Sequence, residues 1–199
     1  NEVTSIEEIS PGNYVFGHVG GLTFYNDRDF NVLEFRDSTS NSHGKRVMDI
    51  CIDKNHNIWF AAGLLGIGFI DINKELKWYK EKDGLKGFIT SVISTRSGKI
   101  YACSEKGLFV LNGNKFRSVN TEGSWGNQIR KIFESNDGSL YFTTSTRGIY
   151  RIVDGIPQHI KYEGDKIYNN TYSFIERSNG DILIGSAMGI LKVEDTILV

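Results

Sequence analysis

The chain has 199 residues, long enough for one large domain or two small ones, and its 39% hydrophobic and 24% charged residues place it far from disordered sequences. Its 23 basic and 24 acidic side chains leave a net charge of −1, which removes the electrostatic footprint of a nucleic-acid binder, and no basic cluster or polybasic membrane patch replaces it. Twenty-two glycines against two prolines give a turn-rich chain without low complexity.

Read from the N-terminus, one pattern returns five times. It begins with the alternating segment VTSI (3–6), the turn Ser10-Pro11-Gly12-Asn13, the apolar hairpin GNYVFGHVGGLTFY (12–25) and the more polar NVLEFR (31–36). The second copy has VMDICI (47–52), a turn at Lys54-Asn55-His56-Asn57, HNIWFAAGLLGIGFI (56–70) and LKWYK (76–80). The third runs ITSVI (89–93), Arg96-Ser97-Gly98, GKIYACSEKGLFVL (98–111) and KFRSV (115–119). The fourth runs IRKIF (129–133), Asn136-Asp137-Gly138, GSLYFTTSTRGIYRI (138–152) and PQHIKY (157–162). The fifth closes with TYSFI (171–175), Ser178-Asn179-Gly180, GDILIGSAMGILKV (180–193) and TILV (196–199).

Two columns keep the period. Gly21, Gly66, Gly107, Gly148 and Gly189 are separated by 45, 41, 41 and 41 residues, and Val15, Trp59, Tyr101, Tyr141 and Leu183 by 44, 42, 40 and 42. Four short strands per unit of about forty residues, joined by Asn-Gly and Asp-Gly turns and with no helical periodicity between them, predict an all-β chain: a β-propeller of about five four-stranded antiparallel blades. The blades fall at 3–36, 47–80, 89–119, 129–162 and 171–199, within a single domain. Either five blades close into a small ring or they form part of a larger one, and an excised arc is the expectation here. An open arc exposes two edges, which makes a homodimer possible.

Residues 58–70, IWFAAGLLGIGFI, are the one stretch that invites a membrane reading. Thirteen residues fall short of the roughly 20 that a spanning helix needs, three of them are glycine, and the stretch is internal, unlike a signal peptide. Ile, Trp and Phe around glycines fit two central strands with apolar neighbours on both faces.

The pattern resembles the two-component regulator propeller repeat, the periplasmic sensor region of hybrid histidine kinase/response regulator proteins. The second copy matches through Ile50, Asp53, Asn57, Ile58, Trp59, Phe60, Ala61, Gly66 and Ile67, the fourth through Asp137, Gly138, Tyr141, Thr144, Gly148 and Tyr150, and Asp83-Gly84-Leu85 matches the signature between blades. The repeat's tryptophan occurs in one copy only, and Thr144 is replaced by Gly, Ala, Cys or Ser elsewhere. The resemblance implies an extracytoplasmic, periplasmic sensor of oligosaccharides released from complex polysaccharides. The region itself is expected to be non-catalytic and without a cofactor, with membrane attachment and kinase in segments outside these 199 residues. Two alternatives stand beside it: a protein-interaction scaffold, and a propeller-type lyase or glycosidase.

Strand alternation puts the connections between strands two and three, and those between blades, on one face, where variable loops on a rigid scaffold carry binding. Trp125, between Gly123 and Gly126, and Tyr168 are candidate sugar-stacking rings in inter-blade loops, though each could equally pack against a blade. Arg147, Glu105 and His18 lie in or beside the hairpin connections and are candidates to hydrogen-bond hydroxyls. Trp59 and Trp78 fall on strands and read as packing. No Cys-x-x-Cys, His-x-x-x-His or Glu-x-x-His spacing supports a metal site. Cys51 and Cys103 sit in separate apolar runs and read as two buried thiols, with pairing in an oxidising compartment as the alternative.

Overall fold

The computed structural model describes residues 2–35, 45–119, 128–162, 171–187, 189–194 and 197–198. It is a β-propeller of five blades. The first contains β1 (Val3–Ser10), β2 (Asn13–His18), β3 (Gly21–Asn26) and β4 (Phe30–Glu34). The second contains β5 (Asp49–Ile52), β6 (Ile58–Ala61), β7 (Ile67–Ile70) and β8 (Leu76–Tyr79). The third contains β9 (Ile89–Ser94), β10 (Ile100–Ser104), β11 (Gly107–Asn112) and β12 (Lys115–Ser118). The fourth contains β13 (Ile129–Glu134), β14 (Leu140–Thr144), β15 (Ile149–Val153) and β16 (Ile156–His159), after which comes β17 (Lys161–Tyr162). The fifth contains β18 (Thr171–Glu176), β19 (Ile182–Ser186), β20 (Gly189–Glu194) and β21 (Ile197–Leu198). Every blade is antiparallel and pairs its strands in sequence order. One departure from that rule occurs: β17 pairs in parallel with β21, so the tail of the fourth repeat is donated to the fifth sheet instead of prolonging β16.

The repeat is explained by what lies between blades. Side chains alternate across each strand, so every blade offers one face to the blade before it and the other to the blade after it. In the second blade Ile50, Ile58, Phe60 and Ile70 pack with Val15 and Leu22 of the first, while Trp59, Ala61, Ile67 and Tyr79 pack with Val92, Ala102 and Phe109 of the third. The apolar run 58–70 is thus β6 and β7, apolar on both sides because both sides are covered. Among the described residues no helix is long and apolar enough to cross a membrane.

Two glycines show how tight this stacking is. Gly66 opens β7 at φ +102°, and a Cβ there would lie 2.2 Å from the Tyr79 carbonyl oxygen. Gly68 leaves the space that the Phe60 ring occupies: a Cβ would fall 2.0 Å from its Cζ. The Asp83-Gly84-Leu85 signature has an equally concrete use. The Asp83 carboxylate accepts the Lys80 N–H at 2.9 Å and closes a 3-10 turn over Glu81–Asp83. Gly84 turns at φ +97° against the Phe116 carbonyl, and Leu85 drops into the core between the second and third blades.

Cys51 and Cys103 are both free and belong to different interfaces, the first between blades two and three, the second between three and four. Burial pushes both thiols well above the ordinary cysteine value, which leaves them protonated hydrophobes.

Candidate functional site

The first strands of the blades converge on the propeller axis, and four of them carry the same irregularity. In β1 the pairing steps from Val3 to Ser5 against consecutive partners on β2, leaving Thr4 as an extra residue. The same step leaves Thr90 extra in β9, Arg130 in β13 and Tyr172 in β18. A bulge of this kind re-aims a side chain out of the ladder. Here it turns Thr4, Thr90, Arg130 and Tyr172, together with Met48 of the second repeat, into one cavity of about 570 Å³ at the axis. All five repeats contribute to it.

The rim is held by backbone bonds that join the first three hairpin connections to the approach of the next blade, and the fourth to the approach of its own. Val47 N–H donates to the His18 carbonyl at 3.2 Å, Ile89 N–H to Gly63 at 3.0 Å, Gln128 N–H to Glu105 at 2.9 Å, and Ser145 N–H to Gln128 at 3.0 Å. The bulged threonines add to it: Thr4 Oγ1 donates to the Val47 carbonyl at 2.6 Å, and Thr90 Oγ1 to Ile129 at 2.7 Å. Gln128 adopts φ +74° on this wall, a conformation that costs a residue with a Cβ about 1 kcal/mol or more and concentrates at functional sites.

One layer below the bulges lies a buried polar cluster. Asp49, 4% exposed, accepts from Ser91 Oγ at 2.5 Å, from the Val92 N–H at 3.2 Å and from Lys131 Nζ at 2.6 Å. Asp49 stands on the second blade and its partners on the third and fourth, so the carboxylate ties three blades together across the axis. Half-buried Glu7 shares this environment. Burial raises its carboxyl above the usual carboxylate value, the Asp49 charge adds to this, and Lys131 opposes it.

The sign of that shift makes a prediction. A carboxyl held high in the folded state binds its proton more tightly there than in the unfolded chain, so its cost appears as pH rises through the raised value and vanishes below the unfolded one. Glu7→Gln is therefore expected to stabilise the protein at pH 7 to 8. Urea denaturation of both proteins should show the gain shrinking to nothing as pH falls below about 4.3, the ordinary glutamate value.

The residues expected from sequence are distributed unevenly. Glu105 lines the cavity. Arg147 lies in the β14–β15 connection, where its N–H donates to Thr144 Oγ1 at 2.9 Å, outside the cavity wall. His18 ends β2 with its ring buried, Nδ1 3.1 Å from the Val19 carbonyl oxygen and Nε2 3.1 Å from Thr23 Oγ1. Trp125 and Tyr168 lie outside the described residues. Sequence reasoning missed Asp49, Ser91, Lys131, Arg130 and Tyr172. The signal was a polar third position, Ser5, Asp49, Ser91, Lys131 and Ser173, in segments read only for their apolar alternation. Among the described residues no group of three His, Cys, Asp or Glu side chains is placed to hold a metal ion.

No family model matches the sequence, and no curated protein matches it. Solved structures do match in shape. Virginiamycin B lyase from Staphylococcus aureus superposes with a TM-score of 0.79 at 16% identity, over 98% of this chain and 67% of the lyase. The extracellular domain of a B. thetaiotaomicron protein assigned to the hybrid two-component systems gives 0.78 at 20% identity, over 98% of this chain and 29% of that one. A second B. thetaiotaomicron extracellular domain, from a protein assigned to the one-component systems, gives 0.74 at 17%, covering 98% and 30%. The chain therefore spans about two thirds of the lyase and under a third of the two extracellular domains, and at these identities the likeness establishes the β-propeller fold.

Proposed function

We propose that this propeller is an extracytoplasmic sensing module of a two-component-type system, and that it binds an oligosaccharide at the axial cavity without chemically altering it. The observation that carries this reading is the bulge repeated in four blades, which brings a phenol, a guanidinium and hydroxyls to one mouth on a rigid frame. Sugars are bound by such a set: an aromatic face for the C–H surface of the ring and fixed donors and acceptors for its hydroxyls. Tyr172 is exposed on the wall and supplies the face, in the role expected from sequence for Trp125 and Tyr168. Arg130, whose Nε donates to Ser145 Oγ at 3.0 Å, together with Glu105 and Gln128 supplies polar groups at the rim. The extracellular domains of similar shape, from proteins assigned to two-component and one-component systems, support the extracytoplasmic setting.

A glycan array followed by calorimetry on the hits tests this. Tyr172→Ala and Arg130→Ala are each expected to weaken binding about tenfold, the scale of one lost stacking or charged hydrogen-bond contact. Their melting midpoints should stay unchanged, because both side chains are solvent-facing. Binding to no saccharide, or binding indifferent to both substitutions, would remove the reading. The lyase of similar shape supports a second reading, a propeller-type lyase. New unsaturated or reducing ends after incubation with polysaccharides would favour that one instead.

A further inference from the structure

Among the turns that join first to second or third to fourth strands, five share one pattern. The N–H of the first residue donates to the carbonyl of the fifth, and the N–H of the fourth donates back to the carbonyl of the first. These turns begin at Asp53, Asp71, Thr95, Ser135 and Arg177, and their fourth residues are His56, Lys74, Gly98, Gly138 and Gly180. All five fourth residues are left-handed, at φ +61°, +65°, +80°, +85° and +88° in that order. Glycine takes this conformation freely, and a residue with a Cβ does not. The two turns that forgo glycine flank one cleft of about 720 Å³ between the first and second blades, and His56 and Lys74 both line it. Residues held in such conformations concentrate at ligand sites.

The cleft is open because the first blade lacks the device that closes the other interfaces. Arg96 of the third blade reaches the Ser135 and Asn136 carbonyls of the fourth. Glu176 of the fifth accepts the Asn136 N–H at 2.6 Å, and the Lys54 side chain of the second lies across Gly98 of the third. The equivalent turn of the first blade is shorter, pairing Ser10 directly with Asn13 around Pro11. Its polar groups are engaged within the blade: the Asn13 amide donates to Ser10 Oγ and the Pro11 carbonyl, and the Gly12 N–H to Glu8. The cleft walls left behind are apolar, with Ile9, Phe24 and Leu33 on one side, Ile58 and Ile70 on the other, and Ile72, 74% exposed, at the lip. Among the described residues the Lys74 ammonium and the His56 ring have no hydrogen-bond or ion-pair partner. Asp71, the carboxylate in the lining, is already engaged, accepting the Glu75 N–H at 2.8 Å and the Asn73 amide at 3.3 Å.

From this we infer that the cleft between the first and second blades is a second binding site, which takes a small carboxylic acid with an aromatic or branched apolar body. The body displaces water from the isoleucine and phenylalanine walls, while Lys74 Nζ and a His56 ring N–H donate to the carboxylate at the mouth. The volume lies within the about 300–1,000 Å³ usual for small-ligand sites. A saccharide, hydroxylated on every edge, matches these walls poorly. The site is distinct from the axial cavity: β1 meets the cavity with Thr4 and Ser5 and the cleft with Ile9 and Ser10. Five residues of strand separate the two, a span of roughly 17 Å. The inference does not rest on the oligosaccharide reading.

The test uses two probes, 3-phenylpropionate and 4-methylpentanoate, each beside its uncharged amide, titrated into the 199-residue chain with labelled isoleucine methyl groups. At least one acid is expected to bind with a dissociation constant of about 1 mM or below, and its amide about tenfold more weakly. The methyl signals of Ile9, Ile58, Ile70 and Ile72 should shift, while that of Ile129, on the wall of the axial cavity, stays in place. His56→Gly and Lys74→Gly restore the residue that the same turn carries elsewhere, so both variants should fold and melt no lower than the parent. Each should nevertheless bind the acid about tenfold more weakly, the scale of one lost charge-assisted hydrogen bond. A role confined to the turns would leave affinity unchanged in both variants, and that result overturns the inference. It is equally overturned if neither acid binds below about 10 mM, if acid and amide bind alike, or if the shift falls on Ile129 instead of the cleft.

Discussion

Replacing Phe60 with Ala is expected to cost about 3–5 kcal/mol, the range for removing a fully buried phenylalanine, and to be the most damaging apolar truncation in the first interface. The ring is completely buried and lies flat against Phe35, with centroids 5.3 Å apart and planes at 11°. Trp78 meets it edge-on, again at 5.3 Å. Phe35 follows the last strand of the first blade, and Phe60 and Trp78 belong to the second. The cluster therefore fastens the first blade to the second. Gly68 on the adjacent strand supplies the floor, so on that side no side chain is present to collapse into the vacated space. Urea denaturation should show the midpoint falling. Phe60→Leu, which keeps most of the volume, should lose under about 1.5 kcal/mol. The same geometry gives an internal check. Gly68→Ala strains the wild-type protein because its Cβ invades the ring, but should cost much less once Phe60 is Ala. A coupling of about 0.5–3 kcal/mol between the two positions is the expected reading.

The architecture was legible because its cause is periodic. Each copy has to present apolar residues to both neighbours at fixed strand positions, and turns have to fall at fixed places between them, so Gly66 and Trp59 recur as columns that can be counted. Asp83-Gly84-Leu85 was visible for the same reason, since the turn, the positive φ and the plugging leucine each demand one residue type. The cavity was harder to see. Its residues reach the axis through a one-residue slip in strand pairing, and alternation alone assigns Thr90 or Tyr172 to a sheet face without revealing that the ladder breaks beneath it. Lys131 meets Asp49 from 82 positions away, two blades round the ring, and no local pattern carries that distance. A charged residue inside VMDICI was the available clue. His18 shows the reverse relation: the sequence places it beside the mouth, and the hairpin that puts it there also buries its ring against Thr23. The expected loop aromatics have a counterpart in Tyr172, which reaches the cavity from a strand.

Asp49 carries the second large effect. Asp49→Ala removes the acceptor shared by Ser91, the Val92 N–H and Lys131, and leaves an ammonium and two other donors without it at the base of the axial cavity. Breaking a buried pair from one side typically costs about 3–5 kcal/mol because the partner's charge is left uncompensated. Lys131 retains a path to solvent, its side chain being 37% exposed, so the loss here should sit at the lower end, about 2–3 kcal/mol. The damage is also expected to be spatially uneven. The carboxylate joins blades two, three and four, and hydrogen exchange should accelerate in β5, β9 and β13 while β19 and β20 keep their protection. Lys131→Met separates charge from geometry. It removes the cation but keeps the aliphatic stem, and leaves Asp49 with its two remaining donors, so it should cost less than Asp49→Ala. In the Asp49→Ala background the orphaned ammonium becomes a liability, and Lys131→Met should then recover stability. A double mutant no better than Asp49→Ala alone would mean that the pair holds the axis through packing and not through charge.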